Sequence, residues 1–378
     1  MSIFGLRIDG TGARRHDSAV MLTHCQSPIR NPQSAIRHIS FALLLAAFLL
    51  VQRPALIAEQ RGLDIYFIDT EGGAATLIVT PVGESILIDS GNPGDRDSAR
   101  INATAREAGL SQIDHYITTH WHSDHMGGAW PLSKLIPIRQ AYGHKLPEPL
   151  SGDISADLVT AWRGVTSDPI FLAAGDSVKL RGNRGSPDPK LRILAADGHV
   201  QGEKEDAGPI AKCDDGNEPM PEDKSDNARS VVMVLSFGRF DFFAGGDLTW
   251  NIEHKLTCPK KIVPAVDVYL ANHHGLDASN NPALVSALSP EVAVVNNGAR
   301  KGAEPRTMAL LLKQVGDVGV FQLHRNVREG AVNTEPARIA NEQEQCKGER
   351  LQLHVAPDGE HYTVEVLSRH ASRAFDSR

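Results

Sequence analysis

The sequence predicts a mixed α/β (α+β) domain, and three observations carry the prediction. Short apolar runs of strand length are punctuated by turn residues, helical segments interrupt them one at a time, and residues 351–366 alternate on both sides of Asp358-Gly359. Residues 63–69, 75–80 and 85–89 open the domain as a meander, the last two joined at Pro81-Val-Gly83. A helix over 97–108 stops at Gly109, and a strand over 113–119 follows. Further strands are expected at 191–195, 230–237, 240–244, 266–271 and 292–296, with helices at 129–135, 281–288 and 306–315 and a C-terminal hairpin at 351–366. No repeat of 20 to 50 residues is present.

With 378 residues, 41% of them apolar and 22% charged, the chain can bury one large core or two modest ones, which excludes disorder throughout. A net charge of -7 gives no general electrostatic reason for binding nucleic acid or an anionic membrane. The charge is uneven. Residues 200–226 hold nine acids (Glu203, Glu205, Asp206, Asp214, Asp215, Glu218, Glu222, Asp223 and Asp226) against Lys204, Lys212 and Lys224, so this segment reads as a solvated insertion loop.

Residues 1–58 read as a leader. The apolar run 39–51 follows Arg30, Arg37 and His38 and precedes a small-residue stretch ending at Ala58, the order of a secretory signal peptide. The run is shorter than the ~20 residues of a membrane-spanning helix, which favours export and cleavage over an N-terminal anchor. Met21 is an alternative start, and Leu56 stands where a small residue is expected, so the anchor stays open, with residues 39–51 the single membrane contact. The expected location is periplasmic or extracellular. Residues 59–378 then form the functional domain. Losing the leader removes Cys25 and leaves Cys213, Cys258 and Cys346, which allow one disulfide in any of three pairings.

Chemistry concentrates in Thr119-His-Trp-His-Ser-Asp-His-Met-Gly-Gly128, where His120, His122, Asp124 and His125 fall within six residues. Imidazole nitrogens and carboxylate oxygens are zinc ligands, and sixteen histidines among 378 residues make so tight a cluster rare by chance. On an extended loop His120 and His122 point the same way and can share one ion, while Asp124 and His125 face a second. Trp121 and Trp130 flank the cluster; a buried aromatic supporting the loop is the simpler account of Trp121. His324, in Phe321-Gln-Leu-His324, reads as a structural histidine.

This motif, with Ile86-Leu-Ile-Asp-Ser-Gly91, Phe243-Ala-Gly-Gly-Asp247 and Ala271-Asn-His-His-Gly275 in that order, resembles the metallo-β-lactamase superfamily, and within it the hydrolase domain of competence proteins. The resemblance runs from about Leu63 to about Gln322. It implies a four-layer αββα sandwich with one or two zinc ions, or other divalent metals, at one edge between the sheets. It also implies that Asp89 orients the histidine loop, that Asp247 bridges the ions and that His274 completes the second site, with His273 left to touch substrate. Two positions depart from the family pattern. Asn227, in Asp226-Asn-Ala-Arg-Ser230, stands where many members carry a zinc-binding histidine, leaving His120, His122 and Asp247 at the first site with Asp226 or His199 as substitutes. Glu304 replaces the histidine of a Gly-His-Pro, which implies a different and less anionic substrate.

The expected activity is metal-dependent hydrolysis by a metal-bound hydroxide, with Asp124 and Asp247 as the catalytic carboxylates holding it. The partner is a small-molecule or oligomeric ester. A phosphodiester or related ester leads, a lactone or β-lactam carbonyl is the alternative, and a non-catalytic metal-binding scaffold is the third reading.

Overall fold

The structure is a computed structural model; it describes residues 61–203, 213 and 217–378. The leader and its apolar run, and Glu205, Asp206, Asp214 and Asp215 of the acidic segment, lie outside the described residues. No helix among the described residues is long and apolar enough to cross a membrane.

The chain first lays down β1 (Leu63–Phe67), β2 (Thr76–Val79) and β3 (Ser85–Ile88) as an antiparallel meander, then adds β4 (Ile113–Ile117), β5 (Ile138–Gly143) and β6 (Ile170–Phe171) in parallel. It crosses to a second sheet with β7 (Ser177–Val178), β8 (Lys190–Ala196), β9 (His199–Val200), β10 (Val232–Phe237) and β11 (Phe240–Ala244), all antiparallel. The parallel strands β12 (Val268–Leu270), β13 (Val292–Val295), β14 (Val320–His324) and β15 (Ile339–Asn341) extend that sheet. Finally β16 (Leu351–Val355), β17 (His361–Val366) and β18 (Ala371–Asp376) return to the free edge of β1. Each sheet therefore has an antiparallel half and a parallel half.

Alternation along the strands decides which side chains meet. Ile65, Ile86, Ile88 and Ile117 of the first sheet face Met233, Leu235, Phe242, Val268 and Val292 of the second, forming a core between the sheets in which Phe67 meets Phe242 edge-on with centroids 6.0 Å apart. The outer face of the first sheet, with Leu77, Leu87 and Tyr116, is covered by α1 (Asp95–Glu107), α3 (Ala129–Leu135) and α4 (Ala156–Arg163) through Ile101, Ala105, Leu132 and Trp162. The short helix α2 (Ser123–Met126) lies between α1 and α3 in the chain. The outer face of the second sheet takes α6 (Pro282–Leu288) and α7 (Pro305–Val315) through Leu284, Leu288, Met308 and Leu311, after the short α5 (Trp250–Lys255). The result is the expected αββα order.

The helices start and stop for local reasons. Asp95 and Asp97 place negative charge in the first turn of α1 and Arg106 sits in its last, both favourable to the helix dipole. Asn281 accepts from the Ala283 N–H and Pro282 fills the first position of α6. The expected strands and helices are all present with ends shifted by a few residues; α2, β5, α4, β6, β7, β9, α5, β14, β15 and β18 were not given ranges in advance. The insertion read over 200–226 is also anchored at both ends, because Val200 belongs to β9, Glu218 accepts from Trp250 Nε1 and Asp226 is buried.

Truncating Phe242 to Ala removes the ring that joins the two sheets and leaves a cavity, so we expect a loss of about 3 to 5 kcal/mol in chemical denaturation. A loss below about 1 kcal/mol would mean that the sheets repack around the gap.

Candidate metal centre

Four segments leave the ends of parallel-half strands and meet between the sheets: the turn after β3, the histidine loop after β4, the turn after β11 and the loop after β12. Each brings residues named from the sequence.

Asp89 is fully buried at the end of β3 with φ 59°, a left-handed conformation a non-glycine residue rarely holds without being fixed by its surroundings. Its carboxylate accepts from the Thr119 N–H at 2.7 Å and the Thr119 hydroxyl at 2.8 Å, and takes His125 Nδ1 at 2.8 Å. Thr119 is in turn pressed by the second sheet. Gly246 has φ +56° and passes so close that a Cβ there would lie 2.7 Å from Thr119 Cβ, so glycine is required.

Asp124, His125, Asp247 and His274 offer ligand atoms that all lie within 4.8 Å of one another. His125 Nε2 is 3.2 Å from His274 Nε2 and 3.2 Å from Asp247 Oδ1, and His274 Nε2 is 3.3 Å from Asp124 Oδ2 and 3.4 Å from Asp247 Oδ2. The other ring nitrogens are already committed, His125 Nδ1 to Asp89 and His274 Nδ1 to the Asn296 carbonyl at 3.3 Å. Those partners put the proton on Nδ1 and leave two imidazole lone pairs aimed at each other beside two carboxylates. Such a convergence fits a divalent cation.

His120 and His122 repeat the pattern. His120 Nδ1 lies 3.1 Å from the Thr119 hydroxyl and His122 Nε2 lies 2.8 Å from Asp153 Oδ2, so His120 Nε2 and His122 Nδ1 face each other at 3.1 Å. Asp247 Oδ2 is 3.9 Å from His120 Nε2 and 3.5 Å from His273 Nε2, which sits 3.4 Å from the Asn227 amide nitrogen. These groups could hold a first ion with Asp247 shared between the two positions.

The substitutes considered for this position lie elsewhere. Asp226 Oδ2 accepts from the Trp121 N–H at 2.6 Å and takes His144 Nε2 at 3.1 Å, which makes Asp226 a brace under the loop. His199 is exposed on β9 beside Glu203. Trp121 is buried against Trp162 and His144. Glu304 accepts from the Asp277 N–H at 2.7 Å and pairs with Arg328 at 3.7 Å. Sequence reasoning missed Asp153, which lies in no motif, and did not pair Lys301 with Asp124. The Lys301 ammonium contacts Asp124 Oδ2.

Electrostatics follow from crowding. Burial alone would depress His125, but Asp247, Asp89 and Asp124 around it push it well above the ordinary histidine value; His274 is raised in the same way, chiefly by Asp247 against its burial. Burial works against the charge of Asp247 and Asp124, yet the neighbouring imidazoles, with Lys301 at Asp124, hold both below the usual carboxylate range. Burial and the adjacent His125 leave His120 well below its ordinary value. The carboxylates thus make a field that favours positive charge in the centre.

Residues 68–203 match the family model described as the metallo-β-lactamase superfamily. Over that span, about a third of its length, the chain is similar to this superfamily. Among curated proteins it is similar to an atrochrysone carboxyl ACP thioesterase of Cryptosporiopsis sp. (strain 8999), 36% identical over 83 residues that cover 21% of this chain and 26% of the relative. A protein of the same name from Aspergillus terreus (strain NIH 2624 / FGSC A1156) is 35% identical over 65 residues, 17% of this chain and 20% of that one. The chain therefore matches only about a quarter or less of the length of these relatives. Among solved structures it is similar to a diiron β-hydroxylase from Streptomyces venezuelae, with 15% identity, 69% of this chain and 52% of that one covered, and a TM-score of 0.41. A metallo-β-lactamase in complex with mercaptoacetic acid gives 13% identity, 67% and 94% coverage and a TM-score of 0.37.

The loop carrying His273 and His274, both at positive φ, rests on the fully buried Glu253. Its carboxylate accepts from Asn272 Nδ2 and from the Asn280 and Asn281 N–H groups, yet burial pushes its pKa up to about 7. A carboxyl whose folded pKa is raised stabilises fully below its unfolded value, near 4.5, and loses that contribution as pH rises through about 7. The loss is on the order of 3 kcal/mol. Urea unfolding between pH 5 and 8.5 checks this: Glu253→Gln should flatten the decline, and an unchanged slope would show that Glu253 ionises freely.

Proposed function

We propose that this protein is a metal-dependent hydrolase acting on an ester-type bond. The observation that carries the reading is the convergence of Asp124, His125, Asp247 and His274, with His120 and His122 facing each other on the adjoining loop. Divalent ions held by these residues, zinc being the ion the donor set suits, supply Lewis acidity toward a carbonyl or phosphoryl oxygen and lower the pKa of water toward ~7.

The chain's own residues do the rest. Asp247, facing both ligand groups, and Asp124 at the rim accept hydrogen bonds from the attacking water and fix its direction. Asp124 can return the proton to the leaving group, while Lys301 beside it, 42% exposed, offers a cation to a negatively charged substrate. His273, between Asp247 and Asn227, lies where it can meet either an ion or the substrate. Asp89 keeps His125 in the tautomer that leaves Nε2 free.

A carbonyl ester or thioester is the favoured bond, supported by the thioesterases to which the chain is similar over part of its length. A phosphodiester is the second reading, supported by the competence-like motifs and by Lys301 beside Asp124. Export is part of the proposal and is supported by the Cys213–Cys258 disulfide, which suits an oxidising compartment.

The zinc-loaded protein, offered a thioester, a lactone, a β-lactam and a phosphodiester, should turn over a carbonyl substrate fastest. A rate only on the phosphodiester would move the assignment to the second reading, and none on any would favour a scaffold. His120→Ala with His122→Ala should lower kcat by at least about a hundredfold; an unchanged rate removes the centre from the reaction. Asp89→Asn should weaken metal binding about 10- to 100-fold in competition with a chromophoric chelator, and equal affinity would leave it a purely structural carboxylate.

A further inference from the structure

A second group of ligand-type side chains lies outside the centre described above. Asp69 follows β1, His324 ends β14 and Cys346 sits in the loop between β15 and β16, and ligand atoms of all three lie within 4.8 Å of one another. His324 Nε2 is 2.8 Å from Asp69 Oδ1 and 3.8 Å from Cys346 Sγ, and the thiol is 3.3 Å from Asp69 Oδ2. Asp69 and His324 are fully buried and Cys346 is half-buried, so an ion arriving from solvent would meet the sulfur first.

Carboxylate, imidazole and thiolate are three zinc donors of different kinds, and here each comes from a different part of the chain. Three protein ligands leave a fourth, tetrahedral position for water. The surrounding charge is compatible. Arg100 donates to Asp69 Oδ2 at 3.1 Å but is balanced by Glu71 at 2.9 Å, so a cation beside Asp69 Oδ1 does not face an unpaired guanidinium. Cys346 is the free cysteine among the described residues, because Cys213 and Cys258 are joined.

We propose that Asp69, His324 and Cys346 form a second divalent-cation site, of zinc type and separate from the hydrolytic centre. Binding releases the thiol proton to solvent and forms a sulfur–metal bond, with no change of oxidation state. Its role is to fasten. It ties the loop between β15 and β16 to the segment from Asp69 to Ala74, whose Ala74 N–H donates to the Asp124 carbonyl. His324 also reaches the other side of the centre, since Asn297 Nδ2 donates to its carbonyl at 2.8 Å and Asn297 follows Asn296, the acceptor for His274.

Cobalt(II) separates this site from the hydrolytic one, because only a thiolate ligand gives a sulfur-to-cobalt charge-transfer band in the near ultraviolet, and the hydrolytic centre has no cysteine. Full-length protein loaded without reductant, which keeps Cys213–Cys258 joined, should show the band. Cys346→Ser should abolish it, lower bound metal by one ion per chain and leave the visible cobalt bands and hydrolysis of the best panel substrate within about twofold. His324→Gln should weaken the band. Should that variant fail to fold, protection decides the case: zinc should slow alkylation of Cys346 in the wild-type protein at least tenfold. No charge-transfer band, a band surviving Cys346→Ser, or alkylation indifferent to zinc would each overturn the site.

Discussion

Asp89 is the carboxylate on which the geometry of the centre hangs. Held at positive φ at the end of β3, it gathers the Thr119 N–H, the Thr119 hydroxyl and His125 Nδ1. The backbone bond sets the direction in which the chain leaves β4, and the imidazole bond sets which nitrogen of His125 faces inward. Thr119 then serves the second sheet as well, its carbonyl accepting from the Val231 N–H at 2.8 Å. One buried side chain thereby fixes the histidine loop against both sheets at once.

Around that anchor the structure accepts unfavourable local arrangements. Asp89, His273 and His274 all occupy left-handed backbone conformations, which cost roughly 1 to 3 kcal/mol each. Imidazole lone pairs are set against one another and buried carboxylates are crowded beside them. Each is tolerable because neighbours over-determine it: Glu253 and its three hydrogen bonds secure the His273 loop, and Asp153 and Asp226 secure the far side of the histidine loop.

The layer order was legible because β2, β3, β10 and β13 are short, nearly continuous apolar runs, as strands buried on both faces are. It failed at β18, whose Ala371-Ser-Arg-Ala-Phe-Asp376 is mostly exposed at a sheet edge and carries no such pattern. It failed also at β5, where Arg139 and Gln140 break the run. The residues gathered in the centre were readable where they fall in contiguous motifs. Asp153 and Lys301 were not, because each reaches the centre from a distant loop through one contact, and a lone charged residue in a loop carries no spacing to read. Asn227 marked the position that departs from the family pattern, but the neighbour that fills the space beside it is His273, and that depends on a backbone turn invisible in composition. Asp226, the nearest alternative in sequence, turns the other way to meet Trp121 and His144.

The centre draws His120, His122, Asp124 and His125 from one sheet and Asp247, His273 and His274 from the other, so it spans the seam between them. Neither half alone presents a full set of donors. An ion bound there can recognise only the docked molecule, and its escape is coupled to the two halves parting. Slow loss of metal to a strong chelator would then time the breathing of the seam, making the ion a reporter of how often the sandwich opens.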